Sequence, residues 1–543
     1  VSGADSVNRP ATQEDRISDL LKSERSAFLQ ERIRDYLPRQ RWFGAKSKTI
    51  QEVTVRDSAD LPDLNAALLY LDVSYDDQST DVYQLALAVT SSAEVKKSDA
   101  TPDRIIATID SLAGPAIVHD AVEGEDVRQA LLSLIRNNGQ LRSQSGILRG
   151  HRSSAFDMEG KVDPLPSRTG SAEQSNTSIL YGHKFIMKLF RRLQPGENPD
   201  TEIGRFLTET AHFTRIASFL GDITLEGSGN EPTTIAMLQG LVENDGDGWQ
   251  WTLDELSRYY GRVASLSPPK SVGSYASFLS DEPAIAEAHK YAGEYLDAAA
   301  LLGKRTAEMH LALATTTGNP AFAAEQFSHQ DLAVDASRIE SQLVLSIGAL
   351  ERSLPGLTGM TANNAARAIG RREELLRRTR AIASAPGNDF GQRIRIHGDY
   401  HLGQVLRSHD DFVILDFEGE PAKPLVERRA KQSPLRDVAG MLRSFGYAAY
   451  AALHALGTRA IDESENLEIW AEVWQNAVSA EYLQAYRMTI HATKPHLIPP
   501  PREAQMLLDA YLLEKALYEL LYELNNRHEW VRIPLAGILT LRS

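Results

Sequence analysis

Chemistry-bearing residues gather in two short stretches, IHGDYHLGQVL (Ile396–Leu406) and VILDFEGE (Val413–Glu420). The first holds His397, Asp399 and Gln404; the second holds Asp416 and Glu418. Asp399 and Gln404 stand five apart on an expected loop between two strands, within a short β-rich interruption at 393–406 and 411–421. Asp416 follows Asp399 by 17 residues, at the end of an apolar run. A turn between two strands would bring Asp416 back beside Asp399. That arrangement suits phosphoryl transfer. One carboxylate orients an attacking hydroxyl and takes its proton, while a second, with an amide oxygen, holds Mg²⁺ on nucleotide phosphates. The alternative is a hairpin whose turn merely carries His, Gly and Asp. The ordered set H-G-D-x4-Q, apolar run and D-F-E is far more specific than a lone triplet. Competing motifs fail. Gly160–Lys161 and Gly303–Lys304 are followed by Val162 and Arg305, so neither is a P-loop, and His528–Glu529 lacks a second His four residues on.

The elements that must position these residues read in three blocks. Residues 1–27 are expected as a linker or a disordered N-terminus. Residues 28–150 form a small α+β unit, with alternating strand patterns at 68–77, 81–90 and 104–110 and a helix over 126–139. A second sheet follows, with a hairpin from SILYG (178–182) and FIMKLFRRL (185–193), a helix starting at Pro199 and running to 211, and a strand at 233–241. From about 252 the pattern is helical, over 283–317, 336–352, 362–384, 434–456, 464–490 and 503–527.

The whole chain of 543 residues, 42% hydrophobic and 24% charged, has globular composition. Its formal charge of −15 argues against a nucleic-acid partner. Zero cysteines exclude disulfides, thiolate metal sites and a cysteine nucleophile, and fit a reducing compartment. No run is long and apolar enough to predict a membrane span, and the start lacks the apolar core of a secretory signal. With ATP use, these features predict a cytoplasmic protein. The first residue is Val rather than Met.

The H-G-D-x4-Q and D-F-E pair resembles the signatures of aminoglycoside-phosphotransferase-like and other eukaryotic-protein-kinase-like folds. More closely, the chain resembles the maltokinases, through RQRWFGAKS (39–47), QSNTSILYG (174–182), KLFRRLQPGENPDTEI (188–203), LLGKRTAEMHLALA (301–314), IHGDYHLGQ (396–404), ILDFEGEPAKPLVERRAKQSPLRDVAGMLRSF (414–445) and EKALYELLYELNNRHEWVRIPLAGI (514–538). These stretches keep the family's order over nearly the whole chain. The resemblance implies an α+β, bilobed protein-kinase-like fold, with a β-rich N-lobe at 151–245, a helical C-lobe at 246–543 and an extra N-terminal cap. It implies ATP-dependent phosphorylation of maltose to maltose 1-phosphate, with Asp399 as base and ATP and Mg²⁺ required. Lys188 would hold the nucleotide phosphates, with Lys184 on the same segment as the competing choice, and Glu202 would pair with the lysine. Gln404, Asp416 and Glu418 would hold the metal. Gln404 departs from the usual Asn by one methylene. No glycine-rich loop precedes Lys188. In its place, Ser175, Asn176, Thr177 and Ser178 offer hydroxyl and backbone donors to the phosphates, with a plain polar loop as the alternative. The family occurs free or fused behind trehalose synthase, so a trehalose synthase partner is implied, and the chain is expected as a monomer or homodimer. A related glucosamine or aminoglycoside kinase is the rival reading. A silent kinase-like binding module is the reading of another class.

On the acceptor side, Tyr511, Lys515, Tyr518 and Tyr522 fall at i, i+4, i+7 and i+11 of one helical stripe. Aromatic faces and a cation suit a sugar, but pattern alone equally describes an amphipathic helix margin. The resemblance implies Lys515, Tyr518 and Tyr522 as acceptor contacts, together with Asp399, His401 and Arg428. The basic run ERRAKQSPLRD (427–437) is either a solvated face or an ordering element for this loop. Asp437 is expected as a first-turn acid or a brace for the catalytic loop.

Overall fold

The computed structural model describes residues 17–23, 25–91, 104–111, 114–158, 165–170, 176–227, 231–273, 277–279, 285–457 and 461–540. It divides into two compact units, Val1–Thr210 with Ala217–Val242, and Ala211–Ile216 with Glu243–Ser543.

The first unit holds two antiparallel sheets. The N-terminal one contains β1 (Ile50–Asp60), β2 (Ala66–Tyr75), β3 (Thr80–Ser91), β4 (Ile105–Ser111) and β5 (Gly114–Asp120), in the order β1-β2-β3-β5-β4. The expected strands at 68–77, 81–90 and 104–110 are β2, β3 and β4. β2 reads AALLYLDVSY with little alternation because both its faces are covered. Leu69, Leu71 and Val73 pack with Leu29, Ile33, Tyr36, Trp42 and Phe43, whereas Leu68 and Tyr70 join the core shared with the next sheet.

That second sheet contains β6 (Gln140–Arg142), β7 (Gly146–Arg152), β8 (Ser167–Thr169), β9 (Asn176–Tyr181), β10 (Phe185–Phe190), β12 (Phe219–Gly227) and β13 (Thr233–Gly240), in the order β6-β7-β12-β13-β10-β9-β8. The short β11 (Arg192–Leu193) leaves this sheet and pairs with β3 of the first. The helix expected over 199–211 is α-helical only for Pro199–Arg205 and passes into a π-helical turn at Phe206–Thr210. It begins where Asn198 Oδ1 accepts from Asp200 N at 2.8 Å, with Pro199 in the first turn. Strands β1 and β12 escaped the sequence pattern. β1 carries seven polar or charged residues among eleven, and β12 is interrupted by Gly221 and Asp222.

The second unit is mostly helical. The Ala-rich run forms two helices, Ala286–Ala292 and Glu294–Leu313, broken at Gly293, whose φ of 43° suits glycine. The run 362–384 likewise divides into Gly359–Gly370 and Arg372–Ile382. Helix Glu294–Leu313 packs closely on Ile461–Thr493. A Cβ at Gly303 would lie 2.1 Å from the Tyr482 carbonyl oxygen, so that glycine serves helix packing. The small β interruption gives β14 (Glu325–Gln326), β15 (Gln392–Arg393) and the hairpin β16 (Val405–Ser408) and β17 (Asp411–Ile414). His409 and Asp410 both have positive φ, 48° and 61°, the geometry of a type I′ two-residue turn. Among the described residues, no helix is long and apolar enough to cross a membrane.

Candidate functional site

The H-G-D segment lies in the irregular stretch between β15 and β16. Two buried groups hold it. Asp437, in the first turn of helix Leu435–Ala455, accepts from His397 N at 2.8 Å through Oδ2 and from Gly398 N at 2.9 Å through Oδ1. His310 Nε2 also donates to Asp437 Oδ2 at 3.1 Å, and His310 Nδ1 accepts from the Tyr486 hydroxyl at 3.0 Å. His397 reaches the other way. Its Nε2 donates to the Leu415 carbonyl at 2.8 Å, and its Nδ1 accepts from Asp399 N at 3.4 Å. One imidazole thus ties the backbone of Asp399 to the residue before Asp416. Gly440 lets the helix approach, since a Cβ there would lie 2.6 Å from the Tyr400 carbonyl oxygen. Asp437 is therefore a brace for this loop.

Asp416 follows β17 with φ 66°, a conformation side chains rarely adopt and one that recurs at functional sites. Carboxylate oxygens of Asp416 and Glu418 lie within 4.8 Å of each other. Gln404 Nε2 donates to Asp416 Oδ2 at 3.1 Å. Gln404 therefore presents its amide nitrogen to Asp416, where the sequence reading expected its oxygen to act as a ligand beside it. The donors offered here are hard oxygens, the chemistry that suits Mg²⁺. Arg428 Nη1 donates to the Glu418 carbonyl at 2.9 Å and so fixes the backbone after the metal-type motif.

Asp399 opens onto a cavity of about 340 Å³. Its walls include Glu420, Arg428, Arg436, Glu514, Lys515 and Tyr518. Burial pushes the Asp399 carboxyl up, but Lys515 and then His401 and His397 outweigh it and hold it below the ordinary carboxylate range. Lys515 is shifted the opposite way. Burial lowers it, and Asp399, Glu519 and Glu420 raise it above its ordinary value. The far wall is a polar network. Glu514 accepts from Arg338 Nε and Arg436 Nη2, each at 2.6 Å, and the Tyr511 hydroxyl donates to Asp335 Oδ2 at 2.6 Å. The sequence missed Arg436 and Glu514 as wall residues. Arg436 was read only as part of the charge run 427–437, and Glu514 only as one residue of a helical segment.

Two expected acceptor contacts are not on this cavity. Tyr522 lies one turn beyond Tyr518 and is 47% exposed, with the Arg527 guanidinium 5.4 Å from its ring centroid. The stripe drifts off the cavity as the helix continues. His401 instead turns its Nε2 to 3.9 Å from Asp399 Oδ2, while its Nδ1 accepts from Gly403 N at 3.0 Å. Burial lowers the His401 pKa below its ordinary value, against the pull of Asp399.

In the first unit, Lys188 sits on β10 and is buried. Its Nζ donates to Asp200 Oδ2 at 2.8 Å. Asp200 was not foreseen as this partner. The sequence reading named Glu202, which lies buried two residues further on in the same helix. Ser178 is the register partner of Lys188, and Thr177 that of Leu189. Directly opposed residues share a face of the sheet, so Ser178 projects with Lys188 and Thr177 projects from the other face. The Thr177 hydroxyl accepts from Arg191 Nε at 2.8 Å. This corrects the expectation that its hydroxyl faces the phosphates. Asn176 opens β9, and Ser175 lies outside the described residues.

Residues 36–123 match the maltokinase N-terminal cap domain. A glucosamine kinase of Streptacidiphilus jiangxiensis is 26% identical over 391 residues, covering 70% of this chain and 75% of that protein. A glucosamine kinase of Mycolicibacterium smegmatis is 24% identical, covering 68% and 78%. Among solved structures, a glucosamine kinase in its crystal form B superposes with a TM-score of 0.63 at 19% identity, over 93% of this chain and 97% of that one. A glucosamine kinase bound to glucosamine, ADP and inorganic phosphate gives 0.61 at 19% identity, over 91% and 94%. The chain shares the fold of these glucosamine kinases, and its sequence relatives support a sugar kinase. Its N-terminal cap is of the maltokinase type.

Proposed function

We propose that this chain transfers the γ-phosphate of ATP to the anomeric hydroxyl of maltose. The observation that carries the reading is the Asp399 carboxylate, held as an anion beside Lys515 at 3.3 Å, on a cavity of about 340 Å³ lined with charged and aromatic side chains. That volume lies in the range of roughly 300–1,000 Å³ usual for small-molecule sites. The maltokinase-type cap favours maltose as the acceptor.

Asp399 orients the anomeric hydroxyl and takes its proton as the oxygen attacks the γ-phosphorus in line. The bond to the bridging oxygen breaks and ADP leaves. Because its carboxyl is held low, Asp399 acts mainly by orientation, accepting the proton late. Lys515 and Tyr518 hydrogen-bond the sugar, and Arg428 and Arg436 order the wall. Lys188, braced by Asp200 and Glu202, neutralises the nucleotide phosphates, with Ser178 beside it. Asp416 and Glu418 would hold Mg²⁺, with Gln404 orienting the Asp416 carboxylate through its amide nitrogen. When bound, that ion supplies charge neutralisation on the phosphate oxygens.

A second reading, glucosamine as acceptor, is favoured by the curated relatives and by Glu420 on the cavity wall, a partner for an ammonium group. ADP release with Mg-ATP and maltose, glucose, glucosamine, trehalose or kanamycin separates the two, with Asp399→Asn as the control. Turnover on maltose that the substitution abolishes is the expected result. Turnover on glucosamine alone would replace the acceptor. No turnover on any of them would sink the enzyme reading.

A further inference from the structure

One buried guanidinium joins the N-terminal cap to the strand pair around Lys188. Arg191 follows β10 directly, and both it and Asp120, at the end of β5, have fully buried side chains. Arg191 Nη2 donates to Asp120 Oδ2 at 2.9 Å, and its Nε donates to Thr177 Oγ1 at 2.8 Å. The guanidinium carbon lies 4.7 Å from the Trp42 ring centroid. Asp120 also accepts from Val122 N at 3.1 Å and from the Tyr36 hydroxyl at 3.5 Å. Backbone bonds run alongside. Gln84 N donates to the Arg191 carbonyl at 2.8 Å, and Gln84 Nε2 donates to the carbonyls of Phe190 and Ile235 at 2.7 and 2.6 Å.

We propose that Arg191 is a positioning residue through which the cap fixes β9, and with it Ser178 and Lys188, in the geometry that binds the nucleotide phosphates. This rests on the nucleotide role of Lys188 given above. The chemistry suits arginine. Its planar fork meets a carboxylate and a hydroxyl together, which a point-charged ammonium cannot do. Its contact with β9 is on the face opposite Lys188, so it acts through the strand and does not touch the nucleotide. Burial removes competing water, so the bonds are strong and their geometry is fixed.

The test is nucleotide binding by titration calorimetry on the full chain with Mg-ADP. Thr177→Val keeps shape and removes the acceptor. Its Kd should rise about fivefold, the loss of one hydrogen bond, while KM for the acceptor stays unchanged. Thr177→Ser restores the hydroxyl and should restore the wild-type Kd, which a merely steric role for Thr177 would not require. Asp120→Asn, an isostere in the cap, should weaken binding in the same direction. Wild-type nucleotide affinity in folded Thr177→Val or in folded Asp120→Asn would overturn the proposal. Lys188→Ala separates the two levels of the argument. If its Kd matches wild type, the nucleotide role of Lys188 itself fails. If Lys188→Ala loses binding and Thr177→Val keeps it, only the link through the cap fails.

Discussion

Lys515 Nζ lies 3.3 Å from Asp399 Oδ1, across from the loop that His397 and Asp437 hold in place. The pair holds the Asp399 carboxylate, the proposed base, as an anion in a half-buried site, because Lys515 offsets the burial that would protonate it. Lys515→Met removes the offset, so the Asp399 pKa rises. The acid limb of the kcat/KM profile should therefore move to higher pH, and KM for the acceptor should rise. A pH–rate profile of the variant checks both. An acid limb that stays in place would show that Lys515 does not set the charge of Asp399.

Asp399→Asn keeps size and loses the proton acceptor. A fall in kcat of roughly 10²–10⁴-fold is expected, the usual contribution of a positioned general base. Nucleotide affinity should be unchanged. Steady-state turnover with a parallel calorimetric titration distinguishes this from a general loss of the site.

Asp437 accepts three donors, His397 N, Gly398 N and His310 Nε2. Asp437→Asn sets an amide N–H against one of them. The cost should be about 1–3 kcal/mol, that of leaving a buried polar group unsatisfied, read as a lower urea midpoint. Turnover should fall as well, because Asp399 sits two residues from His397 on the same braced loop. A variant of unchanged stability would mean that the brace is redundant.

Tyr518 and Tyr522 provide a paired test on one helix. Tyr518 lines the cavity, and its hydroxyl is pushed up to about 12, by burial first and then by Glu420, so it stays a donor. Tyr522 is half exposed. Tyr518→Phe should raise the acceptor KM about fivefold, one hydrogen bond's worth, with kcat little changed. Tyr522→Phe should leave both constants alone. Equal effects would place both rings on the acceptor.

Local signals were legible. The hairpin at β9 and β10, the Pro199 helix start and the run from His397 to Asp416 could each be read because turn residues, caps and short spacings act within a few residues. Position in space was not. Asp120 and Arg191 are 71 residues apart, and Asp437 meets His397 from 40 residues away, so no spacing rule links them. Asp200 was missed because a pattern of charges does not resolve which acids of a short helix reach a neighbouring strand, and Asp200 meets Lys188 from the same helix as the buried Glu202. Tyr522 was misplaced for a related reason. A stripe of side chains describes a face, but the length of the cavity decides where the face stops mattering. Thr177 and Ser178 read alike as hydroxyls, and only the strand register separates their faces.

The pairing of β11 with β3 bears on ancestry. A domain that ends at a linker can be moved between genes as a cassette. Here two residues from the far side of the Lys188 hairpin complete the N-terminal sheet, and Gln84 of that sheet caps backbone carbonyls of the next. A recombination point placed between the two sheets would strand both a guanidinium and a carboxylate without partners. The cap and the hairpin should therefore be inherited together, and chimeras that exchange one should succeed only when β10, β11 and β3 come from the same parent.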